Sequence, residues 1–168
     1  MSLRRGSAQD AEAVGRVHAV SRAAAYAHLV PALALAEVTP QTQARYWRRR
    51  LHTELHPHAM YVAEVDGTVQ GFAMGSAAGP TATLHALHVV PEIQGTGTGR
   101  LLHDAVLHEF ETWGCTAAEL WVLDGNERAQ GFYRRHGWLP DGGRDSHEIG
   151  GVTVSILRYR RDISAARR

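Results

Sequence analysis

The sequence predicts an α/β domain built on one sheet that mixes antiparallel and parallel strand pairs. Three observations predict it. An Asp66-Gly67 corner joins two strand-like runs as a hairpin. Two further strand-like runs, residues 83–90 and 118–123, are each followed by a helix-like segment, the pattern of a crossover between strands of one sheet. A Gly150-Gly151 corner near the C-terminus leads into a last strand and marks a second hairpin.

The elements follow in order. Residues 2–5 read as a short first strand. Ser7 with Asp10 three positions on is a partial capping box, and Val14, Val17, Ser21 and Ala24 continue at helical spacing until "HLVP" ends the segment at Pro31. In "TPQT", Thr39 suits the cap and Pro40 the first position of a second helix, which runs through Tyr46, Trp47 and Leu51. The hairpin "MYVAEV-DG-TVQGFAM" is followed by the loop "GSAAGP" and the buried strand "TLHALHVV". After a glycine-rich corner, Leu101, Leu102, Ala105, Val106, Phe110 and Trp113 share a helical face, and Gly114 is placed to end that helix. "AELWVL" is a strand, and "DGNE" opens the last helix with an Asp-x-x-Glu capping signal. Ala129, Phe132, Tyr133 and His136 share its face, Gly137 ends it, and Trp138 is placed for the hydrophobic contact that accompanies such an end. "VTVSILRY" is the terminal strand, paired with residues around 144–149. The predicted order is β-α-α-β-β-β-α-β-α-β-β.

Composition narrows the function classes. At 168 residues, with 44% hydrophobic and 21% charged residues, the chain reads as one globular domain with a real core. A formal net charge of +1 gives no electrostatic case for nucleic acid or membrane partners, and "RYWRRR" reads as a solvated helix face. The lone Cys115 rules out an intramolecular disulfide and a cysteine zinc framework, and reads as structural. The eleven histidines are spread without ligand spacing, so no metal is expected. The basic N-terminus lacks an apolar signal core and no run of about 18 apolar residues appears, so a cytoplasmic location is the expectation.

The stretch "VVPEIQGTGTGR", residues 89–100, puts three glycines on alternate positions between a strand and a helix. A P-loop would need Lys followed by Ser or Thr where Arg100 and Leu101 stand. A dinucleotide fold would need Gly-x-Gly-x-x-Gly at the start of a βαβ unit. A third reading is a pyrophosphate cradle, with the amides of residues 95–100 and the helix dipole facing the anion and Arg100 adding a cation. A tight turn that binds nothing stands beside these.

Read at length, "LHVVPEIQGTGTGRLL" resembles the acetyl-coenzyme A signature of the GNAT superfamily of N-acetyltransferases, its Gln/Arg-x-x-Gly-x-Gly/Ala pattern met by Gln94, Gly97 and Gly99. "LWVLDGNERAQGFYRRHGW" resembles the same superfamily's strand, Asn-headed helix and aromatic ending. The element order matches along nearly the whole chain. The resemblance implies a single mixed, mostly antiparallel sheet flanked by helices on both faces, with residues 1–163 as one N-acetyltransferase domain and 164–168 as a short tail. It implies acetyl-coenzyme A as co-substrate. Pantetheine would pair with the backbone of Leu87, His88 and Val89, and pyrophosphate would lie on Gly95, Thr96, Gly97, Thr98, Gly99 and Arg100. Asn126 matches an asparagine that bonds pantetheine, a role compatible with heading the helix.

Tyr133 matches the tyrosine that protonates the departing thiolate, although its spacing alone fits a core aromatic beside Phe132. Where relatives carry a glutamate base, this sequence has Thr83 and Trp121. His85, two residues after Thr83 on the same strand face, is the candidate base or water relay, and equally a packed strand histidine. Glu64 and Glu119 are candidate remote partners, and an amine can also lose its proton through ordered water. For the acceptor, Tyr26, His28, Tyr46, Trp47 and the hairpin residues Asp141, Asp145 and Glu148 are the candidates. The leading expectation is acetyl transfer to a primary amine of a small molecule through a ternary complex. The same chemistry on a peptide or protein, and a non-catalytic acyl-coenzyme A sensor, are the alternatives. A homodimer is a reasonable assembly.

Overall fold

The computed structural model describes residues 1–164, so the expected tail lies, beyond Ser164, outside the described residues. Along them run β1 (Ser2–Arg5), α1 (Ala11–Tyr26), α2 (Ala32–Leu35), α3 (Pro40–Thr53), β2 (His58–Val65), β3 (Thr68–Ala77), β4 (Thr81–Val89), α4 (Thr98–Thr112), β5 (Ala117–Leu123), α5 (Glu127–Arg135), β6 (Leu139–Ile149) and β7 (Val152–Asp162). The strands form one sheet in the order β1-β2-β3-β4-β5-β7-β6, and each neighbouring pair is antiparallel except β4 with β5. The mixed, mostly antiparallel sheet predicted from the sequence is therefore present. The short helix α2 is additional to the predicted order.

Local chemistry explains the boundaries. Ser7 and Asp10 exchange cap hydrogen bonds around a 3-10 turn that leads into α1, and Thr39 and Thr42 do the same at α3, with Pro40 in first position. Asp66 and Gly67 hold φ of 50° and 75°, the left-handed pair that a type I′ corner requires. Two local expectations are corrected. The cap of α5 is Asn126, whose side-chain oxygen accepts from the Ala129 amide at 3.2 Å, while Asp124 pairs instead with Arg144 at 3.3 Å. On α4, Leu101 is 45% exposed and His103 is 1% exposed. The buried face is 102, 103, 106, 107 and 110, because the Trp138 indole donates to His103 and makes an imidazole acceptable there.

Each sheet face has its own core. On one, Leu102, Val106 and Phe110 of α4 pack with Ala73, Leu84 and Leu120, and Tyr133 of α5 joins them. On the other, Val14 and Val17 of α1 and Trp47 of α3 pack with Phe72, Met74 and Ala86. Burying a large side chain fully contributes roughly 1.5–3 kcal/mol, so these two faces hold the helices to the sheet. Helices α1 and α3 meet backbone to backbone at Gly15, where a Cβ would lie 2.5 Å from the Ala44 nitrogen and the Pro40 oxygen. That close approach sets α1 down over the sheet, with its last turns above β4. No helix among the described residues is long and apolar enough to cross a membrane.

Candidate active site

The site begins with a break in the sheet. β4 and β5 pair in parallel only over residues 81–83 and 117–119, and then separate. The cause lies on the other edge of β4. Gly75 pairs with Leu84 and Met74 pairs with Ala86, so His85 is an unpaired extra residue, a β-bulge that turns β4 aside. The bulge also reverses the alternation of side chains. Leu84 packs in the α4 core and Ala86, two residues on, in the α1 core. Residues 84–89 of β4 thus keep β3 on one edge and present open backbone on the other.

A cavity of about 290 Å³ fills the gap. Its walls are residues 84–89 of β4, residues 121–123 of β5, Gln94, Gly95 and Gly99 of the glycine corner, Asn126, Arg128, Ala129, Phe132 and Tyr133 of α5 or its cap, and Ser21, Arg22, Ala25 and Tyr26 of α1. It therefore joins the two sheet faces. A second cavity of about 330 Å³ adjoins it, lined by Ala24, His28, Pro91, Gly125 and Glu127 and sharing Ala25, Gln94, Asn126 and Arg128 with the first.

The glycine corner is shaped by backbone conformation. Gly95 and Gly97 have φ of 83° and 91°, and space is open around the position of a Cβ at each. Their glycine identity answers the left-handed turn, and the open side leaves room for a ligand against the chain. Gly97 caps α4, whose first amides point out of the helix without intrahelical acceptors. The corner is tied to the strand by Gln94, whose side-chain amide donates to the Val89 carbonyl at 2.8 Å. Thr96 donates to the Ile93 carbonyl, and its hydroxyl meets that of Thr98 at 2.9 Å. Thr98 is buried, and Arg100 is exposed with Asp104 at 3.5 Å. The result is a fixed corner with outward helix-terminal amides, whose Gly95 and Gly99 line the cavity.

On α5, Gln130 anchors the helix to the sheet. Its amide donates to the Leu123 carbonyl at 3.3 Å and its oxygen accepts from the Tyr159 hydroxyl at 3.0 Å. One turn on, Tyr133 packs against Phe132 and Trp138 and reaches the cavity. Burial, with Tyr26 close by, pushes its phenol well above the usual tyrosine range, so it stays protonated. The structure thus puts Tyr133, Asn126, Leu87, His88, Val89, Gly95 and Gly99 around one space.

The remaining candidates are divided. His85 lines the cavity and its Nε2 lies 2.6 Å from the Ser76 hydroxyl; crowding by protein, with Arg50 near, holds its pKa down to about 4. Thr83 sits in register with Glu119 and Ser76, below the break, and Trp121 lines the cavity with the Arg158 guanidinium 5.7 Å from its ring centre. Glu64 is far off, paired with Arg4 at 2.7 Å. Tyr26 lines the first cavity and His28 the second. Trp47 is corrected: it is 2% exposed in the α1 core, and its indole donates to His18 Nδ1 at 2.9 Å, so its place is structural. Tyr46 lies on the exposed side of α3, outside both cavity linings. The hairpin acids are also elsewhere, Asp141 on Arg158 and Asp145 on the Ser146 amide, and Glu148 lines neither cavity. Cys115 is buried, with Sγ 3.7 Å from the Gly79 carbonyl oxygen. Sequence reasoning missed Gln130, Arg22 and Arg128. The helical pattern offered Arg22 only as one polar position among several.

Among the described residues no three His, Cys, Asp or Glu side chains come together to hold a metal. The arrangement offers extended backbone for strand addition, helix-terminal amides for an anion, and a protonated phenol on the inner wall.

Comparison with known proteins supplies the context. Residues 24–138 match the family model described as acetyltransferase (GNAT) family. An uncharacterized N-acetyltransferase of Methanocaldococcus jannaschii is 34% identical over 85 residues, covering 50% of this chain and 54% of that protein. The chain thus spans about half the length of that curated relative. Among solved structures, the PaiA N-acetyltransferase of Thermoplasma acidophilum, in complex with coenzyme A, superposes with a TM-score of 0.75 at 19% identity over 96% of this chain and 99% of that one. A GCN5-related N-acetyltransferase of Rhodopseudomonas palustris gives 0.77 at 21% identity over 96% and 95%. At such identities the two structures speak for the fold.

Proposed function

Because the chain belongs to the acetyltransferase (GNAT) family, we propose that it transfers an acetyl group from acetyl-coenzyme A to the primary amine of a small molecule, both bound at once. The observation that carries this reading is the open edge of β4, facing a cavity that has a protonated Tyr133 on its wall.

The residues present fit the donor. The edge of β4 turned away from β3 beside Leu87, His88 and Val89 suits the amides of a pantetheine arm, as an added strand would, with the Val89 carbonyl already taken by Gln94. Gly95, Thr96, Gly97, Thr98 and Gly99 would hold the pyrophosphate by backbone amides, with Arg100 as the cation. Asn126 uses its side-chain oxygen on α5, which leaves its NH₂ to donate to the same arm. The bound donor supplies an activated thioester carbon. The amine nitrogen bonds to that carbon as the carbon–sulfur bond breaks, the amine proton leaves through water, and Tyr133 donates to the departing sulfur. No carboxylate lines the cavity among the described residues, and His85 is a weak base at neutral pH. His85 therefore serves as a partner for ordered water rather than as the group that strips the amine.

A panel of primary amines assayed for thiol release tests the activity. Turnover on a small amine supports the reading, and acetyl-coenzyme A binding without turnover on any amine, peptide N-termini included, makes the protein a sensor instead. The cradle has its own test. Gly97→Val forces a β-branched residue to a positive φ, a strain on the order of 1–3 kcal/mol. The expected result is at least about a tenfold loss of acetyl-coenzyme A affinity by calorimetry, with the far-ultraviolet circular dichroism retained. Undiminished affinity removes Gly97 from the cradle.

A further inference from the structure

The cavity wall opposite Tyr133 has a charge with no carboxylate partner among the described residues. Arg22 stands on α1, on the sheet face opposite α5 and Tyr133, and lines the cavity. Its Nε is buried and has no hydrogen-bond partner. No carboxylate pairs with it among the described residues, although Arg4, Arg50, Arg144 and Arg158 each have one. Its guanidinium carbon lies 5.4 Å from the Tyr26 ring centre, and its charge reaches His88 and His147, holding both below the usual histidine range together with burial, the larger cause. A cation at a cavity wall, with a ring beside it and no carboxylate partner, is available to an oxyanion from outside.

The rest of the lining agrees. The cavity wall carries two arginines and no Asp or Glu. Arg128 sits beside Asn126 at the glycine-corner end, where the donor's phosphates would lie, and Arg22 is across the gap from it on α1. A polycationic amine would meet no counter-charge on this wall, since Glu127 belongs to the adjoining cavity. Asp141 and Asp145, the acids that could have met one, are occupied within the terminal hairpin.

Resting on the transferase reading above, we propose that the acceptor is a small amine that also carries a carboxylate or phosphonate, which Arg22 binds through its guanidinium while Tyr26 packs along the carbon chain. The planar fork of N–H groups matches such an oxyanion with two parallel hydrogen bonds. The same positive charge disfavours the ammonium form of the nearby amine, so it also favours the nucleophile.

The experiment compares 4-aminobutyrate, 3-aminopropylphosphonate, 4-aminobutanamide and 1,4-diaminobutane, with L-alanine against L-alaninamide as a shorter pair. Wild type, Arg22→Gln and Arg22→Lys are assayed, each checked for unchanged acetyl-coenzyme A affinity. In wild type the acids should exceed the amide and diamine by about tenfold or more in kcat/KM. Arg22→Gln should erase that preference by raising KM for the acids about ten- to hundredfold with kcat little changed. Arg22→Lys should restore part of it. The carboxylate and phosphonate arms tell which oxyanion fits better. Equal or faster turnover of the diamine or amide, indifferent to Arg22→Gln, overturns the proposal and leaves the transferase reading standing. If no amine turns over, calorimetry on the acetyl-coenzyme A complex decides. Binding of the acids that is lost in Arg22→Gln supports the oxyanion seat and refutes catalysis, and no such binding overturns both.

Discussion

Replacing Tyr133 with phenylalanine is expected to lower kcat about a hundredfold or more while acetyl-coenzyme A binds within about twofold of its original affinity. The substitution isolates the hydroxyl. The ring contacts with Phe132 and Trp138 remain, and Gln130 still ties α5 to Leu123 and Tyr159. The Tyr133 hydroxyl makes no hydrogen bond to another described residue, so its loss leaves no buried partner orphaned. Any rate loss therefore reports on the chemistry. Burial makes this phenol less acidic than a free one, yet the same desolvation raises the proton affinity of a thiolate leaving beside it. Donor and acceptor thus remain matched. Steady-state kinetics on the best amine, with calorimetry for the donor, checks the result, and an unchanged kcat would remove Tyr133 from the proposed role.

The second large effect is a loss of stability in mild acid. His18 and His103 are both buried, and each accepts a hydrogen bond from a tryptophan indole, Trp47 at 2.9 Å and Trp138 at 2.9 Å. An indole N–H can only donate, so each accepting imidazole nitrogen must be unprotonated in the fold. Burial lowers the pKa of both, His18 far below the histidine range and His103 to about 4; His88 and Arg22 add to the effect on His18. Around His103, Asp104 opposes the shift while His136 and Arg161 favour it. His88, with Ser21 2.7 Å from its Nδ1, is held to about 3. Unfolded, all three would titrate near 6.5. Their contribution is therefore complete above about pH 6.5 and declines as the pH falls below it, because the unfolded chain then binds protons that the folded chain refuses. Each group costs about 1.4 kcal/mol per pH unit over that window. Three together weaken the fold by roughly 4 kcal/mol per unit at the steepest point, a large share of a domain's stability. Denaturant titrations at pH 7, 6 and 5 should show the midpoint dropping steeply, and a flat profile down to pH 5 would contradict the assignment.

These two predictions draw on different levels of legibility. The alternating glycines, Asn126 and Tyr133 stand out along the chain because each belongs to a contiguous strand-to-helix segment. Asp66-Gly67 likewise announces its turn by its need for positive φ. His103 gave no such sign, since its burial depends on an indole delivered from 35 residues away. Trp47 looked like a recognition residue on an amphipathic helix, yet the close contact at Gly15 rotates it inward onto His18. The cap of α5 is Asn126 rather than Asp124 because the helix starts at Glu127, which puts the Asn126 side chain in reach of the Ala129 amide.

The sequence by itself determined the sheet class, the two hairpins and the left-handed glycine corner. Those features follow from local rules: alternation, helical spacing, and backbone angles that only glycine adopts readily. Tertiary structure decided the cavity and its charge. The bulge at His85 arises from the pairing of β4 with β3, and the gap beside β5 begins at the same point. Arg22 becomes an unpaired charge on that gap only when α1 crosses above it. A cavity whose walls come from α1, β4, β5 and α5 has its charge balance set by which side chains the packing turns toward it, and no single stretch of chain contains that information.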